Sequence, residues 1–313
     1  MNEKMARQIA EAKKQTIGVE IEMNGITRSR AAKVAAEFFG TGRYKDTAAR
    51  NGYCTWSAWD ADGREWKFQR DVSIEGPDSE KCELVTPILT YADMELLQEL
   101  VRQLRHAGAK SDAGRGCGVH IHIGAKGHTP QSLRNLANIM AGHEGLIAEA
   151  LNLDGRRMSR YCRTVDPRFL EQLNKKKPQT MAQLADIWYA SHGAGYNRSA
   201  HYNDSRYHML NYHATFTKAT VEFRLFQFDA PADGKRNGLH AGQLKGYIQF
   251  CLLLSQMAKE LKSASPKPQQ HENPKYAMRT WLLRLGFIGD EFKTAREVLT
   301  RRLSGDASFR NGR

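Results

Sequence analysis

No stretch of this sequence could cross a membrane as a helix: the most apolar run, Tyr247–Met257, falls well short of the ~20 residues a span needs. No membrane partner is expected. Cysteine is sparse, with five residues at wide spacings and no CxxC pair. An odd, scattered set excludes a disulfide framework and a zinc ribbon and points to a reducing compartment, the cytoplasm. No GxxxxGK loop followed by Ser or Thr occurs, which excludes P-loop nucleotide chemistry. An arginine-rich tail is missing too, the longest basic run being Lys175-Lys176-Lys177. A dedicated nucleic-acid arm is therefore not favoured, although nucleic acid stays open as a partner. The opening residues, MNEKMARQIAEAKKQ, lack the apolar centre of a secretory signal and read as a charged amphipathic helix.

What the chain does have is apolar content for a sizeable core, 41% of 313 residues, and a net charge of +13. Charge spread in this way favours polyanions or phosphorylated ligands as partners. Helices are expected at 2–15, 28–39, 91–107, 130–151, 180–190 and 238–262, with two short ones after a polar, proline-bearing linker at 263–274. Strands are expected at 17–23, 53–59, 64–69, 71–75, 82–86, 118–124, 208–216 and 219–228. The tetrapeptide Asp60-Ala61-Asp62-Gly63 is the hairpin turn between the second and third of these. Strands in consecutive runs, without βαβ alternation, predict an α+β fold: a curved, mostly antiparallel sheet with helices packed on one side. Residues 1–262 are expected as the catalytic domain, and 275–313 as a C-terminal helical extension packed on the same domain.

One pattern recurs in these strands. Residues i and i+2 share a strand face, roughly 6.5 Å apart. Gly18–Met23 sets Glu20 and Glu22 opposite Val19, Ile21 and Met23. Asp71–Glu75 sets Asp71, Ser73 and Glu75 opposite two aliphatics, and Val119–Ile123 sets His120 and His122 opposite three. Thr220–Leu225 presents Glu222 and Arg224, and Cys82–Pro87 carries Glu83. A merely solvated sheet face would favour Lys, Thr, Ser and Gln. Glutamates and histidines crowded on one face repel unless a cation neutralises them, which implies a metal site. Glutamate oxygens with one or two imidazoles suit Mg²⁺ or Mn²⁺ better than zinc or copper. Such ions work on phosphates, and a neighbouring arginine would neutralise transferring phosphoryl oxygens. The Gly114–Gly118 run before the histidine strand would let backbone approach a ligand closely.

The ordered motifs GVEIE, DVSIE, ELVTP, GCGVHIH, RYHMLN and TVEFR resemble those of the amidoligase family, relatives of glutamine synthetase and glutamate–cysteine ligase. The resemblance covers about residues 16–228 and the helix after them. It implies a glutamine synthetase catalytic-domain-like fold. It also implies an ATP-dependent ligase that joins a carboxylate to an amine or ammonia through an acyl phosphate, with two divalent metals, Mg²⁺ or Mn²⁺. Residue by residue, it implies metal-site roles for Glu20, Glu22, Glu75, Glu83, His120 and Glu222. Arg224 would contact the transferred phosphoryl group, His122 the nucleotide, and Arg206 and Asn211 a substrate or phosphate. The partners would be ATP, a carboxylate and an amine, with amino acid, peptide or polyamine all open.

Two other readings stand beside this one. A metal-dependent hydrolase or nuclease could use the HxH and glutamate cluster to activate water. A basic nucleic-acid-binding protein without catalysis would explain the charge but not the carboxylate strands. Trp56, Trp59 and Trp66 read as hairpin core, with stacking on adenine or substrate as the alternative. Cys117 reads as a small buried residue and not as a nucleophile. His201, His208 and His213 read as surface or hydrogen-bonded histidines, with substrate contact as the alternative.

Overall fold

The computed structural model describes residues 2–48, 52–230, 238–268 and 270–309. In chain order they form α1 (Glu3–Lys13), β1 (Ile17–Met23), α2 (Arg28–Phe38), β2 (Tyr44–Asp46), β3 (Trp56–Trp59), β4 (Glu65–Gln69), β5 (Cys82–Val85), α3 (Met94–His106) and β6 (Val119–Gly124). There follow α4 (Pro130–Leu151), α5 (Gly155–Arg160), α6 (Pro167–Lys176), α7 (Met181–Ser191), β7 (Leu210–Asn211), α8 (His213–Lys218), β8 (Thr220–Phe226), α9 (Ala241–Glu260), α10 (Pro274–Leu285) and α11 (Lys293–Thr300). The fold is α+β, and the ladders β1–β5, β2–β3, β3–β4, β4–β5 and β7–β8 are all antiparallel. Among the described residues no helix is long and apolar enough to cross a membrane.

The chain divides into two compact units. A strand-rich unit holds residues 16–121 and 226–245, and a helix-rich unit holds 1–15, 122–225 and 246–313. The division falls inside β6, so that His120 belongs to the first unit and His122 to the second.

In the strand-rich unit the order is β2-β3-β4-β5-β1-β6. Register sets Ile21 against Leu84, Leu84 against Phe68, and Trp66 against Ala58, all fully buried. Burying Phe68 or Leu84 in this way contributes about 2 kcal/mol each. Helix α2, capped by the Thr27 side chain, buries Ala31, Ala32, Ala35 and Ala36, small residues that let it lie close on β2, β3 and β4. The expected turn at 60–63 forms as read, with Asp60 accepting from the Asp62 and Arg64 amides and from Trp66 Nε1. Trp66 is thus a hydrogen-bonded core residue. The opposite face of the same strands carries Glu20, Glu22, Glu83, Gln69 and Lys67.

In the helix-rich unit β8 lies between β7 and the end of β6. Helix α4 starts on a Thr129 capping box with Pro130 in its first turn, and packs against α6 and α11. Tyr212 is fully buried and donates its hydroxyl to the Leu133 carbonyl of α4, anchoring the segment that leads into β8.

Two expected strands are not strands. Residues 71–75 form a turn, because Asp71 Oδ1 accepts both the amide and the hydroxyl of Ser73 at 2.7 Å, an Asx turn that competes with ladder pairing. Val72 is 69% exposed, so it does not pack as an aliphatic of a strand would. Within 208–216 only Leu210–Asn211 is extended. The Asn211 side chain accepts the His213 amide and α8 begins there, ending at Ala219 in the left-handed region. Strand β2 and helices α5 and α6 appear where no element was expected.

Candidate functional site

Each unit carries a cluster of the expected residues. In the strand-rich unit, β1 and β5 place Glu22 directly across from Glu83. Like charges in that relation destabilise a sheet, so the pairing has to be compensated. Part of the compensation is local. Gly118 N–H donates to Glu22 Oε2 at 2.5 Å, while Ser111 Oγ donates to the Glu22 carbonyl at 2.6 Å. His120 Nδ1 lies 3.0 Å from Glu20 Oε2, and its Nε2 lies 4.0 Å from Glu22 Oε1. With the Nδ1 proton given to Glu20, Nε2 offers a lone pair, the arrangement by which a carboxylate orients a metal-binding imidazole. Glu22 and His120 are buried, at 4% and 3% exposure.

Two groups of three donor atoms, each within 4.8 Å of one another, result: Glu20, Glu83 and His120, and Glu22, Asp71 and Glu83. Glu83 belongs to both. Three carboxylates, or two and an imidazole, make a hard oxygen-rich set that fits Mg²⁺ or Mn²⁺.

The position of Asp71 depends on Gly116. This residue sits at φ +68, and a Cβ on it would come within 2.8 Å of the Ser73 carbonyl and 3.3 Å of Glu75 Cγ. Within the glycine run ahead of β6, Gly116 thus lets the 73–75 backbone approach closely. Glu75 accepts at its carbonyl from Asn24 and donates its amide to the Arg115 carbonyl, but its carboxylate is exposed and joins neither donor group. Asp71, from the same segment, is the residue that falls in a donor group. The Asp-Val-Ser spacing of an Asx turn was the signal that would have found it.

In the helix-rich unit the centre is Glu222, 3% exposed on β8. Arg224 Nη1 donates to its Oε1 at 2.6 Å, and Asn211 Nδ2, across the β7–β8 ladder, donates to its Oε2 at 2.6 Å. His122 Nε2 lies 3.8 Å from Glu222 Oε1, and its Nδ1 shares a 2.9 Å hydrogen bond with Thr220 Oγ1. Arg224 is itself buried, at 4% exposure, with its guanidinium 5.8 Å from the Tyr207 ring centre. Its carbonyl accepts from buried Arg157, and its amide pairs with Met209. Asn211 therefore orients a carboxylate and starts α8.

Beside this cluster a cavity of about 210 Å³ is lined by Arg206, Asn211, His213, Lys218 and Glu222 among others. Arg206 is held by a bond from Nη1 to the His201 carbonyl and by the rings of Tyr202 and Tyr207. Burial pushes His213 below the ordinary histidine range; Arg206 and Lys218 add to this, while the Ala200 carbonyl and Glu222 oppose it. His213 also lies 2.7 Å from the Tyr189 hydroxyl, and His208 is buried against the Ser205 carbonyl. Both are hydrogen-bonded histidines, and His201 is the exposed one at the cavity. Cys117 is buried, and its thiol donates to the Arg115 carbonyl.

With this geometry in view, comparison with known proteins is informative. A family described as "Putative amidoligase enzyme" matches residues 13–255. The chain belongs to this family. The match takes in every residue of both clusters of the amidoligase. A search of the curated proteins finds no match. Among solved structures, the amidoligase is similar to a bifunctional glutathione synthetase from Pasteurella multocida, with 13% identity and a TM-score of 0.44. That likeness covers 96% of this chain and 49% of the other, so the amidoligase spans about half the length of that protein.

Proposed function

We propose that this amidoligase is an ATP-dependent carboxylate–amine ligase of the glutamine synthetase type, in fold as in chemistry, working in the cytoplasm with two divalent ions, Mg²⁺ or Mn²⁺. The observation that carries the proposal is the in-register pair Glu22 and Glu83 with its two three-donor groups, like charges whose repulsion a bound cation would relieve. Glu20, Glu22, Glu83, Asp71 and His120 are the ligands we assign first, with Glu222 and His122 as further donors and Glu75 as an outer contact. When bound, the metals would neutralise the ATP phosphates and polarise the γ-phosphoryl group.

In the reaction, a substrate carboxylate oxygen attacks the γ-phosphorus, and the bond to ADP breaks with its electron pair leaving on ADP. The amine nitrogen then attacks the acyl carbon, phosphate departs with its electron pair, and the nitrogen loses a proton to give the amide. Arg224 is suited to hold phosphoryl oxygens in the first step, since its planar fork can serve two at once. In the structure that fork is turned to Glu222. A ligand drawing Glu222 toward a cation would release Arg224 to the phosphate. Arg206 and Asn211 lie at the cavity, where the acid substrate is expected.

The test is to supply the purified protein with Mg²⁺, ATP and pooled small acids and amines. ADP release that requires both an acid and an amine is the expected result. Water-driven phosphate release alone, or cleavage of nucleic acid without ATP, would replace this reading with the hydrolase or nuclease one.

A further inference from the structure

The proposed reaction leaves the net charge of +13 unexplained, and that charge lies in one unit. The helix-rich unit holds 30 Lys and Arg against 16 Asp and Glu, a net +14, whereas the strand-rich unit holds 17 against 18, a net −1. Within the helix-rich unit the fold brings two basic segments together. On α4, Gln131, Asn135 and Asn138 share a face. Their side-chain amides donate to the carbonyls of Lys262, Leu261 and Ala264 at 2.6, 2.6 and 2.9 Å, so the linker after α9 is laid along α4. It stays there at Lys267, whose carbonyl lies 3.4 Å from where a Cβ on Gly142 would be. Asn138 also exchanges two 2.8 Å hydrogen bonds with Asn174, the residue before Lys175-Lys176-Lys177 at the end of α6. One side chain thus joins both segments, and their five lysines, Lys175, Lys176, Lys177, Lys262 and Lys267, are all exposed.

We propose that this lysine patch is a docking surface for a nucleic-acid duplex, held through its phosphates with no readout of its bases. Lysines at a helix C-terminus also complement the helix dipole, which accounts for Lys175 and Lys176 but not for Lys262 and Lys267. Residues 172–180 and 261–271 contain no Asp or Glu, and among the described residues none of the five ammonium groups is in an ion pair. Arginine forks would suit the carboxylates of an acidic peptide, whereas ammonium point charges suit phosphates spaced along a backbone. The two segments hold no Phe, Tyr or Trp on which an unpaired base could stack, which favours a duplex over a single strand. The positive field of the whole unit would speed the encounter. None of the five lysines lines the cavity or belongs to a donor group, so the proposal does not depend on the ligase reading.

Fluorescence anisotropy of a labelled duplex of mixed sequence, titrated with the protein at rising KCl, reads how many phosphates are neutralised. Five contacts, at a slope of about −0.9 each, predict a ~500-fold loss of affinity between about 50 and about 200 mM salt. Lys175→Gln/Lys176→Gln/Lys177→Gln should cut that loss to ~12-fold, and Lys262→Gln/Lys267→Gln should cut it to ~40-fold. Lys4→Gln/Lys14→Gln/Lys293→Gln removes three charges from other exposed positions of the same unit and should leave the wild-type loss in place. All these changes are at exposed side chains, and equal melting temperatures check that the fold is kept. Equal salt dependence in the patch and control variants overturns the proposal, because then only overall charge acts. Poly-glutamate or phosphatidylglycerol vesicles that bind as tightly as the duplex at the same salt also overturn it, in favour of an acidic peptide or a lipid surface.

Discussion

The two units treat their carboxylates in different ways. In the strand-rich unit Glu22 meets Glu83 in register, with Glu20 and Asp71 close by, so that carboxylate faces carboxylate. In the helix-rich unit Glu222 meets Arg224 on one oxygen and Asn211 on the other. In the first arrangement like charges face each other across the ladder. The second is balanced by side chains of its own unit. A carboxylate's identity on a strand face is thus a poor guide to its state; its partner across the ladder decides.

The contrast is broken or sharpened most strongly at Glu83, the residue common to both donor groups. Glu83→Gln should lower turnover by ~10³-fold, on the scale of losing a principal electrostatic stabiliser. The same change should raise the stability of the metal-free protein by about 0.5 kcal/mol, because a like-charge pair is removed. Thermal melts with and without Mn²⁺ would show the metal-induced stabilisation vanish as the metal-free value rises. A fall in stability without added metal would mean that the other contacts of Glu83 outweigh its repulsion from Glu22.

Glu222→Gln should do the opposite to the metal-free protein. It leaves the buried Arg224 guanidinium without its carboxylate, which destabilises by about 3 kcal/mol. Urea unfolding decides; a neutral outcome would mean that Arg224 finds another counter-charge and that the pair is not tightly coupled.

Metal should move the first unit, and pH the second. Glu144 on α4 is buried, and burial raises its carboxyl to about 7 even though it accepts the Val165 amide. A folded value above the unfolded one means that its contribution is fully present below about pH 4.5 and is lost as pH rises through 7. Wild-type stability should therefore fall between about pH 4.5 and 7 relative to Glu144→Gln and level off above, by on the order of 1.4 kcal/mol per pH unit at the steepest. Parallel curves for the two proteins would remove Glu144 from the account.

The smallest effect expected is at Gly116. Gly116→Ala must push away the Ser73 carbonyl and strain a positive-φ turn, so Asp71 shifts. Mn²⁺ affinity should fall about tenfold, or ~1.4 kcal/mol, with the fold kept. Unchanged affinity would take Asp71 out of the donor set.

How much of this could be read in the sequence follows the same physics. Strands β1, β6 and β8 show their faces plainly, because strict alternation of Val, Ile and Met with Glu or His fits only one period. The long helices announce themselves through caps such as Thr129-Pro130. The segments at 71–75 and 208–216 do not, since Asp71 and Asn211 turn their side chains onto nearby backbone amides and override a period-two pattern. That is also why Glu75 was expected on a strand and lies in a turn. The pairing of Glu222 with Arg224 and Asn211 depends on register between β7 and β8, which the alternation of one strand does not contain. Lys218 and the cavity depend on α8, a helix concealed in an apparently extended stretch.

The central claim is that a carboxylate is activated by phosphoryl transfer, and the most direct test is to follow the carboxylate's oxygen. With Mg²⁺, ATP, an amine pool and small acids carrying ¹⁸O in their carboxylates, each phosphate released should carry one ¹⁸O, matched by one amide formed. Mass spectrometry of the phosphate reads this outcome. Phosphate that takes its oxygen from solvent water, with no label from the acid, would contradict the acyl-phosphate account and leave the metal cluster to a hydrolase.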